Sequence, residues 1–288
     1  MAGTLYVVST PIGNLEDITL RALRVLREVR LVAAEDTRRT AQLLRHYDIR
    51  TPTMSLHEHN ERARVPLLIR RLEAGDDIAL VSDAGTPAIA DPGSRLIRAA
   101  RERGLPVVPV PGPSAVLAAL VASGHAGEPF VFAGFPPARA KDRTVWLRNL
   151  AGERRTVVLF EAPHRIRQTL ELMRNELGDR PIALARELTK LHEEVLAGPI
   201  SELLGRLPDR PIGEFTLILP GNEQLSPPHR SCEFVERPSD ELIARAYSQV
   251  SSRDGGSPRA RASVVARRYG LTVNQVYAAL ERAKRLRQ

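Results

Sequence analysis

The chain has 288 residues, 43% of them hydrophobic, with 42 Lys and Arg against 34 Asp and Glu and a formal charge of +8. That length holds two domains of ordinary size and a small appendage, while the lone cysteine, Cys232, excludes an intrachain disulfide and speaks against a cysteine-based metal site. The opening Met1-Ala2-Gly3-Thr4 carries no basic stretch, and the longest apolar run, residues 115–122, is far too short to span a bilayer; no signal peptide and no membrane span are expected, and the expected location is the cytoplasm.

The first predicted strand, residues 5–8, runs into Ser9-Thr10-Pro11-Ile12-Gly13-Asn14-Leu15. A helix marked by Leu20, Leu23, Leu26 and Val29 follows, and then a strand at 31–34 that leads into Glu35-Asp36-Thr37-Arg38-Arg39. His57-Glu58-His59-Asn60 lacks the H-E-x-x-H spacing of a zinc helix, so no metal is expected there. Ile78-Ala79-Leu80-Val81 is a continuous apolar run, which reads as a buried strand of a parallel sheet. It passes into the most informative segment, Ser82-Asp83-Ala84-Gly85-Thr86-Pro87-Ala88-Ile89-Ala90-Asp91-Pro92-Gly93. The two glycines there permit close backbone approach to a ligand, the two prolines fix the loop, and Asp83 and Asp91 offer acceptors. The strand at 107–110 likewise ends in Pro111-Gly112-Pro113-Ser114-Ala115, where Ser114 is placed to cap the apolar helix that follows. Three strands thus end in Ser/Thr-Pro-Gly loops, at the edge where open α/β sheets bind ligands. Neither common phosphate-binding glycine pattern is present, so the ligand is not expected to be a pyrophosphate.

Further strands are expected at 130–132, 156–160, 182–186 and 215–219, with a helix marked by Ile166, Leu170, Met173 and Leu177. The alternation implies parallel sheets and an α/β class, with domains at 1–113 and 114–222 meeting across a cleft. Residues 223–238 are polar and proline-interrupted and read as a linker. Beyond it, Ser239 caps a helix carrying Leu242, Ile243 and Ala246, a short helix covers 262–268, and Thr272 starts another with Gln275 at the capping-box position. This spacing suggests helix-turn-helix, with Val276, Tyr277 and Leu280 inside and Arg282, Lys284, Arg285 and Arg287 outside; a plain three-helix packing unit is the alternative. Residues 239–288 hold ten Arg and Lys against four acids, which points to a polyanionic partner.

The segments 10–15, Ala34-Glu35-Asp36-Thr37-Arg38, 82–93, 111–115, Phe160-Glu161-Ala162-Pro163-His164-Arg165 and Ala185-Arg186-Glu187-Leu188-Thr189-Lys190 resemble, in order, the motif series of the tetrapyrrole-methylase superfamily. Within it they are similar to the bacterial 16S ribosomal RNA cytidine 2′-O-methyltransferases. The resemblance implies two α/β domains of that type with an interdomain cleft, a C-terminal helix-turn-helix-like module and a homodimer. It implies S-adenosylmethionine as cofactor and, as substrate, the decoding region of 16S ribosomal RNA, within the small subunit. Cofactor contacts would come from Pro11, Asp83, Gly85, Thr86, Ile89, Ser114 and Ala115 in the first domain, and from Phe160, Ala185 and Glu214 in the second. Many superfamily members carry Gly-Asp-Pro where this chain has Gly85-Thr86-Pro87, so Thr86 takes the aspartate's place.

A ribose 2′-hydroxyl is a weak acid, and its methylation is helped by a general base or by a cation facing the developing alkoxide. Glu187 as base and Lys190 as cation fit, since both follow a strand end; the alternative is that Glu187 pairs with Arg186 and Lys190 only touches phosphate. RNA contacts are expected from Arg38, Arg39, His59, Asn60 and Arg165, and from Arg267, Arg268 and Lys284 of the basic module. Two rival readings are a tetrapyrrole-carbon methyltransferase of the same fold and a ligand-sensing DNA-binding regulator.

Overall fold

The computed structural model describes residues 2–126, 129–221, 239–254, 257–269 and 271–285, and divides into two compact units at residue 226. In the first unit, strands β1 (Leu5–Val8), β2 (Leu31–Ala34), β3 (Thr53–Ser55), β4 (Ile78–Val81) and β5 (Val107–Val110) form a wholly parallel sheet in the order β3-β2-β4-β1-β5. Every residue of β2 and β4 is buried. That two-sided burial explains their unbroken apolar runs.

Helices α1 (Leu20–Glu28) and α2 (Thr37–His46) cover one face, packing Leu23, Leu26, Leu43 and Leu44 on Val8, Val32 and Val81. Helices α3 (Glu61–Glu73) and α4 (Ser94–Glu102) cover the other, packing Leu68, Leu72 and Leu96 on Leu5, Ile78 and Leu80. Adjacent strands β1 and β4 therefore feed helices on opposite faces. Their carboxyl ends form a topological switch point, where such sheets open a crevice.

Helix α5 (Ala115–Ala122) leads into a second sheet of β6 (Phe130–Phe132), β7 (Thr156–Glu161), β8 (Pro181–Arg186), β9 (Glu194–Pro199) and β10 (Phe215–Leu219), ordered β6-β7-β10-β8-β9. Helices α6 (Ala140–Leu150), α7 (Ile166–Leu177) and α8 (Ile200–Arg206) pack on one face, and α5 covers the other through Val116, Ala119 and Leu120. The expectation of parallel sheets is corrected here. Only β6 and β7 pair in parallel; the other three pairs are antiparallel. Residues 187–193 between β8 and β9 are too few for a crossover, which needs a dozen or more, so the chain turns straight back. Strands β3 and β9 were not foreseen, because Thr-Met-Ser has no apolar run and β9 ends in Gly198-Pro199 at the sheet edge.

The second unit packs α9 (Asp240–Asp254), α10 (Pro258–Tyr269) and α11 (Val273–Arg285) around Ile243, Ala262, Val265, Val276 and Ala279. The Ser239 hydroxyl accepts from the Leu242 N–H at 3.3 Å, and the Thr272–Gln275 box forms in both directions, at 3.3 and 2.8 Å. Helix α10 begins four residues earlier than expected, since Ser257 caps it and Pro258 suits a first helical position. Tyr277 was expected inside but is 37% exposed, because Val276 takes the buried register. Arg282 is held by Asp240 in a two-point ion pair, at 2.7 and 2.9 Å. The 223–238 linker with Cys232, together with Arg287, lies outside the described residues, as do the side chains of Arg267, Arg268 and Arg285.

Candidate active site

At the switch point the loops after β1 and β4 are tied to each other. The Thr10 N–H donates to the Gly85 carbonyl at 2.9 Å and the Gly85 N–H to the Thr10 carbonyl at 3.0 Å, while the hydroxyls of Ser9 and Thr86 meet at 2.9 Å. Gly85 has φ +76°, a left-handed conformation that favours glycine. Ser114 caps α5 as expected, its hydroxyl accepting from the Leu117 N–H at 3.5 Å.

Above these loops lies a small cleft, about 80 Å³ and open to solvent, whose wall from the first half is Ile12, Ala84, Gly85, Thr86, Ser114 and Ala115. The facing wall is Phe160, Glu187, Leu188, Lys190, Glu214 and Thr216, from the ends of β7, β8 and β10. Of the expected cofactor residues, Gly85, Thr86, Ser114, Ala115, Phe160 and Glu214 come together here. Pro11 and Asp83 line an adjoining cavity that shares Lys190 with the cleft. Ile89 is 50% exposed and outside the lining, and Ala185 is wholly buried within β8. Ile12, Ala84, Leu188 and Thr216 were missed, being apolar or strand residues without a chemical signature.

Glu187 and Lys190 form an ion pair at 2.8 Å, and Arg186 pairs with Glu194 at 2.6 Å. The alternative Arg186–Glu187 pair is therefore not formed. Glu187 (φ +50°) and Thr189 (φ +66°) both have left-handed backbone, a costly state for non-glycine residues that must be over-determined by surroundings. The surroundings are visible: the Asn14 N–H donates to the Thr189 hydroxyl at 3.0 Å, and the Glu187 carboxylate occupies the space a side chain at Gly213 would need. Gly13 lies so close to Leu188, Thr189 and Lys190 that a Cβ there would stand 2.6 to 2.9 Å from them.

Asp91, in the loop after β4, is the most perturbed carboxyl among the described residues. Burial pushes it up to about 7, the charges of Glu35, Glu214 and Asp83 add to this, and a hydrogen bond with Ser82 works against it. Glu35 is also raised, first by burial, although the Asp83 N–H that it accepts opposes the shift. A carboxyl raised above its unfolded value of about 3.9 stabilises the fold fully below that value and loses its contribution as pH rises through about 7. Asp91→Asn is accordingly expected to match the parent in unfolding free energy near pH 3.5 and exceed it at pH 8, by about 1–2 kcal/mol for a partly buried group. Equal stabilities at pH 8 would remove this perturbation.

The expected RNA contacts divide. Arg38 grips Asp36 at 2.7 Å and Arg39 lies 3.5 Å from Asp83, both with exposed side chains. His59 is exposed. Asn60 is turned inward, its amide bonded to the His57 N–H at 2.9 Å and to Ser55, which makes it a loop-closing residue. Arg165 likewise points inward, donating to the carbonyls of Pro136 at 2.7 Å and Pro137 at 3.1 Å, with the buried Glu161 carboxylate at 3.2 Å; its guanidinium is committed to the fold. Lys284 is exposed, 3.4 Å from Glu281. Sequence reasoning also missed Glu61, a buried carboxylate that accepts from the Gly93 and Arg95 N–H groups and so holds the end of the loop at the start of α4.

The sequence pattern described as "Tetrapyrrole (Corrin/Porphyrin) Methylases" matches residues 4–204. The "Ribosomal RNA small subunit methyltransferase I" of Pasteurella multocida is 43% identical over 282 residues, covering 96% of each chain. The protein of the same description from Pseudomonas aeruginosa is 53% identical over 203 residues, 70% of this chain and 72% of that one. Among solved structures, the methyltransferase CobJ superposes with a TM-score of 0.59 at 18% identity, covering 76% of this chain and 95% of that chain, which speaks for the fold.

Proposed function

The chain belongs to the family of tetrapyrrole (corrin/porphyrin) methylases, and from this premise we propose that it is a methyltransferase of small-subunit ribosomal RNA that methylates a cytidine 2′-oxygen in the decoding region. The observation that carries the reading is the Glu187–Lys190 ion pair on the rim of a cleft at the carboxyl ends of the first sheet's strands, of β7 and of β8, and at the amino end of β10.

S-adenosylmethionine is the proposed methyl donor, and when bound it supplies a carbon already activated by a sulfonium leaving group. The cleft suits it. Ile12, Ala84, Ala115 and Leu188 offer apolar walls, Gly85 a flat backbone floor, and Glu187 and Glu214 negative charge for a cationic ligand. Glu187 would take the proton of the 2′-hydroxyl, and Lys190, at 41% side-chain exposure free to turn from Glu187 toward the acceptor, would face the developing alkoxide. Holding the two reactants in line supplies much of the remaining acceleration. The basic module of residues 239–288 contributes phosphate contacts, Lys284 among them. We take the chain to act in the cytoplasm as a homodimer.

The reading is tested by unmethylated small subunits reconstituted with 2′-deoxycytidine at the modified position. They are expected to bind within about threefold of the ribose form, since one hydroxyl is lost and few phosphate contacts, yet to accept no label from tritiated cofactor. Label on the deoxy substrate would assign the methyl group to a base atom and overturn the reaction.

A further inference from the structure

Three of the chain's six phenylalanines form one array on the second sheet. Phe160 lines the cleft; the rings of Phe132 and Phe135 lie 4.9 and 5.5 Å from it, in edge-on and tilted contact. Phe135 carries the array out of the cleft wall to the surface, where it is 48% exposed.

An exposed aromatic ring on a loop is ordinarily costly to hold still, yet this loop is braced from beneath. The two carbonyls after Phe135, those of Pro136 and Pro137, accept from Arg165, which sits against Glu161. Glu161 is itself wholly buried and accepts from the Thr169 hydroxyl at 2.6 Å. On the other side, α6 is anchored by the buried Arg143, which donates to Gln168 of α7 at 2.9 Å. Pro136 and Pro137 remove two further backbone freedoms. A loop with this much buried polar support beneath one exposed ring is built to present that ring.

The chemistry around the ring identifies what it meets. The exposed positions after it are small or charged (Ala138, Arg139, Ala140, Lys141 and the acid Asp142), and His164 is exposed on the turn that carries Arg165. Neither Arg139 nor Lys141 makes an ion pair among the described residues. A protein-docking face would need contiguous apolar area. A single ring beside unpaired cations matches the π-face of an unpaired base and its flanking phosphates.

We propose that Phe135 is a stacking platform for an unpaired base of the RNA substrate next to the acceptor nucleotide, and that Arg165 and Glu161 are positioning residues that hold it. The proposal rests on the reading of the chain as an RNA methyltransferase.

The test uses the full-length enzyme, unmethylated small ribosomal subunits and labelled S-adenosylmethionine. Loss of one base–aromatic stack corresponds to about a 5- to 150-fold fall in kcat/KM, expected for both Phe135→Ala and Phe135→Leu. Phe135→Tyr and Phe135→Trp are expected to stay within about threefold of the parent. Cofactor affinity and melting temperature should be unchanged in Phe135→Leu, which keeps an apolar contact with Phe160. In that background Arg165→Lys should cost little more, because the platform it holds is already gone.

Full activity of Phe135→Leu, or its loss of cofactor affinity, would reduce the ring to a packing role and overturn the proposal. Additive losses would overturn the part given to Arg165. If the parent enzyme itself fails to label the subunits, it is the reading of the reaction that falls, a result distinct from any of these.

Discussion

Gly85→Leu is expected to abolish binding of S-adenosylmethionine, at least about 100-fold in Kd, while leaving the chain folded. The expectation follows from two features of this residue. Its φ of +76° costs a leucine about 1–2 kcal/mol, a loss that a domain of ordinary stability survives. A Cβ at this position would make ordinary contacts, 3.6 Å from the Ile12 side chain and 3.9 Å from the Pro113 carbonyl, so the first carbon fits and the rest of the side chain takes cleft space. Gly85→Ala separates the two effects, since it carries the same backbone strain with a single methyl; its affinity should fall by less than about tenfold. Calorimetric titration of both variants, with thermal melts as the folding control, decides the matter. Parent-like affinity in the leucine variant would show that the ligand does not rest on this loop.

The second large effect is expected at Lys190. Removing one group that faces developing negative charge costs on the order of 10²–10³ in rate, and Lys190→Met should fall in that range for kcat under single-turnover conditions, with KM for the small subunit moving less than about threefold. Its ammonium group rests 2.8 Å from Glu187, so the methionine variant also leaves that carboxylate without its partner. Lys190→Arg keeps the charge and should recover part of the rate. A variant that raises KM with kcat intact would make Lys190 a phosphate contact and leave the alkoxide to another group.

Much of the fold was legible because burial writes itself into the sequence. Strands with both faces covered, such as β2 and β4, cannot alternate, and the helices between them repeat leucine at three- and four-residue steps. β3 and β9 were illegible because neither carries a clean apolar run, Thr53-Met54-Ser55 being short and half-buried and β9 opening on Glu194 and closing on Gly198-Pro199, whereas the edge strands β5 and β6 were legible from their valines and phenylalanines. The direction of β8 to β10 depends on loop length between strands whose existence was itself half hidden.

At the site, chemistry-bearing residues on strand-end loops were legible, and six of the ten expected cofactor positions line one cleft. What was hidden depended on distant partners. Nothing near Arg165 in the chain announces that its guanidinium turns inward to two proline carbonyls, or that Asn60 folds back onto Ser55. The same holds for Glu61, whose carboxylate serves a loop 32 residues away. Glu187 and Lys190 could be placed just past a strand end from the sequence, but the left-handed backbone at Glu187 and Thr189 could not, because its support comes from Asn14 and Gly213.

The order of strands in the second sheet also governs how the protein is made. β10 is the last strand of the sheet to be synthesised, yet it lies at the centre, joining β7 on one side to β8 on the other. At roughly 5–20 residues per second, the ribosome needs about 3–12 s after finishing β7 before β10 is complete. For that interval the apolar strand Val157-Val158-Leu159 and the β8–β9 hairpin each present an unpaired edge, the state in which a nascent chain is most open to mispairing and to chaperone capture. A chain stopped before residue 215 keeps those edges, since no other strand of the sheet joins its two pieces.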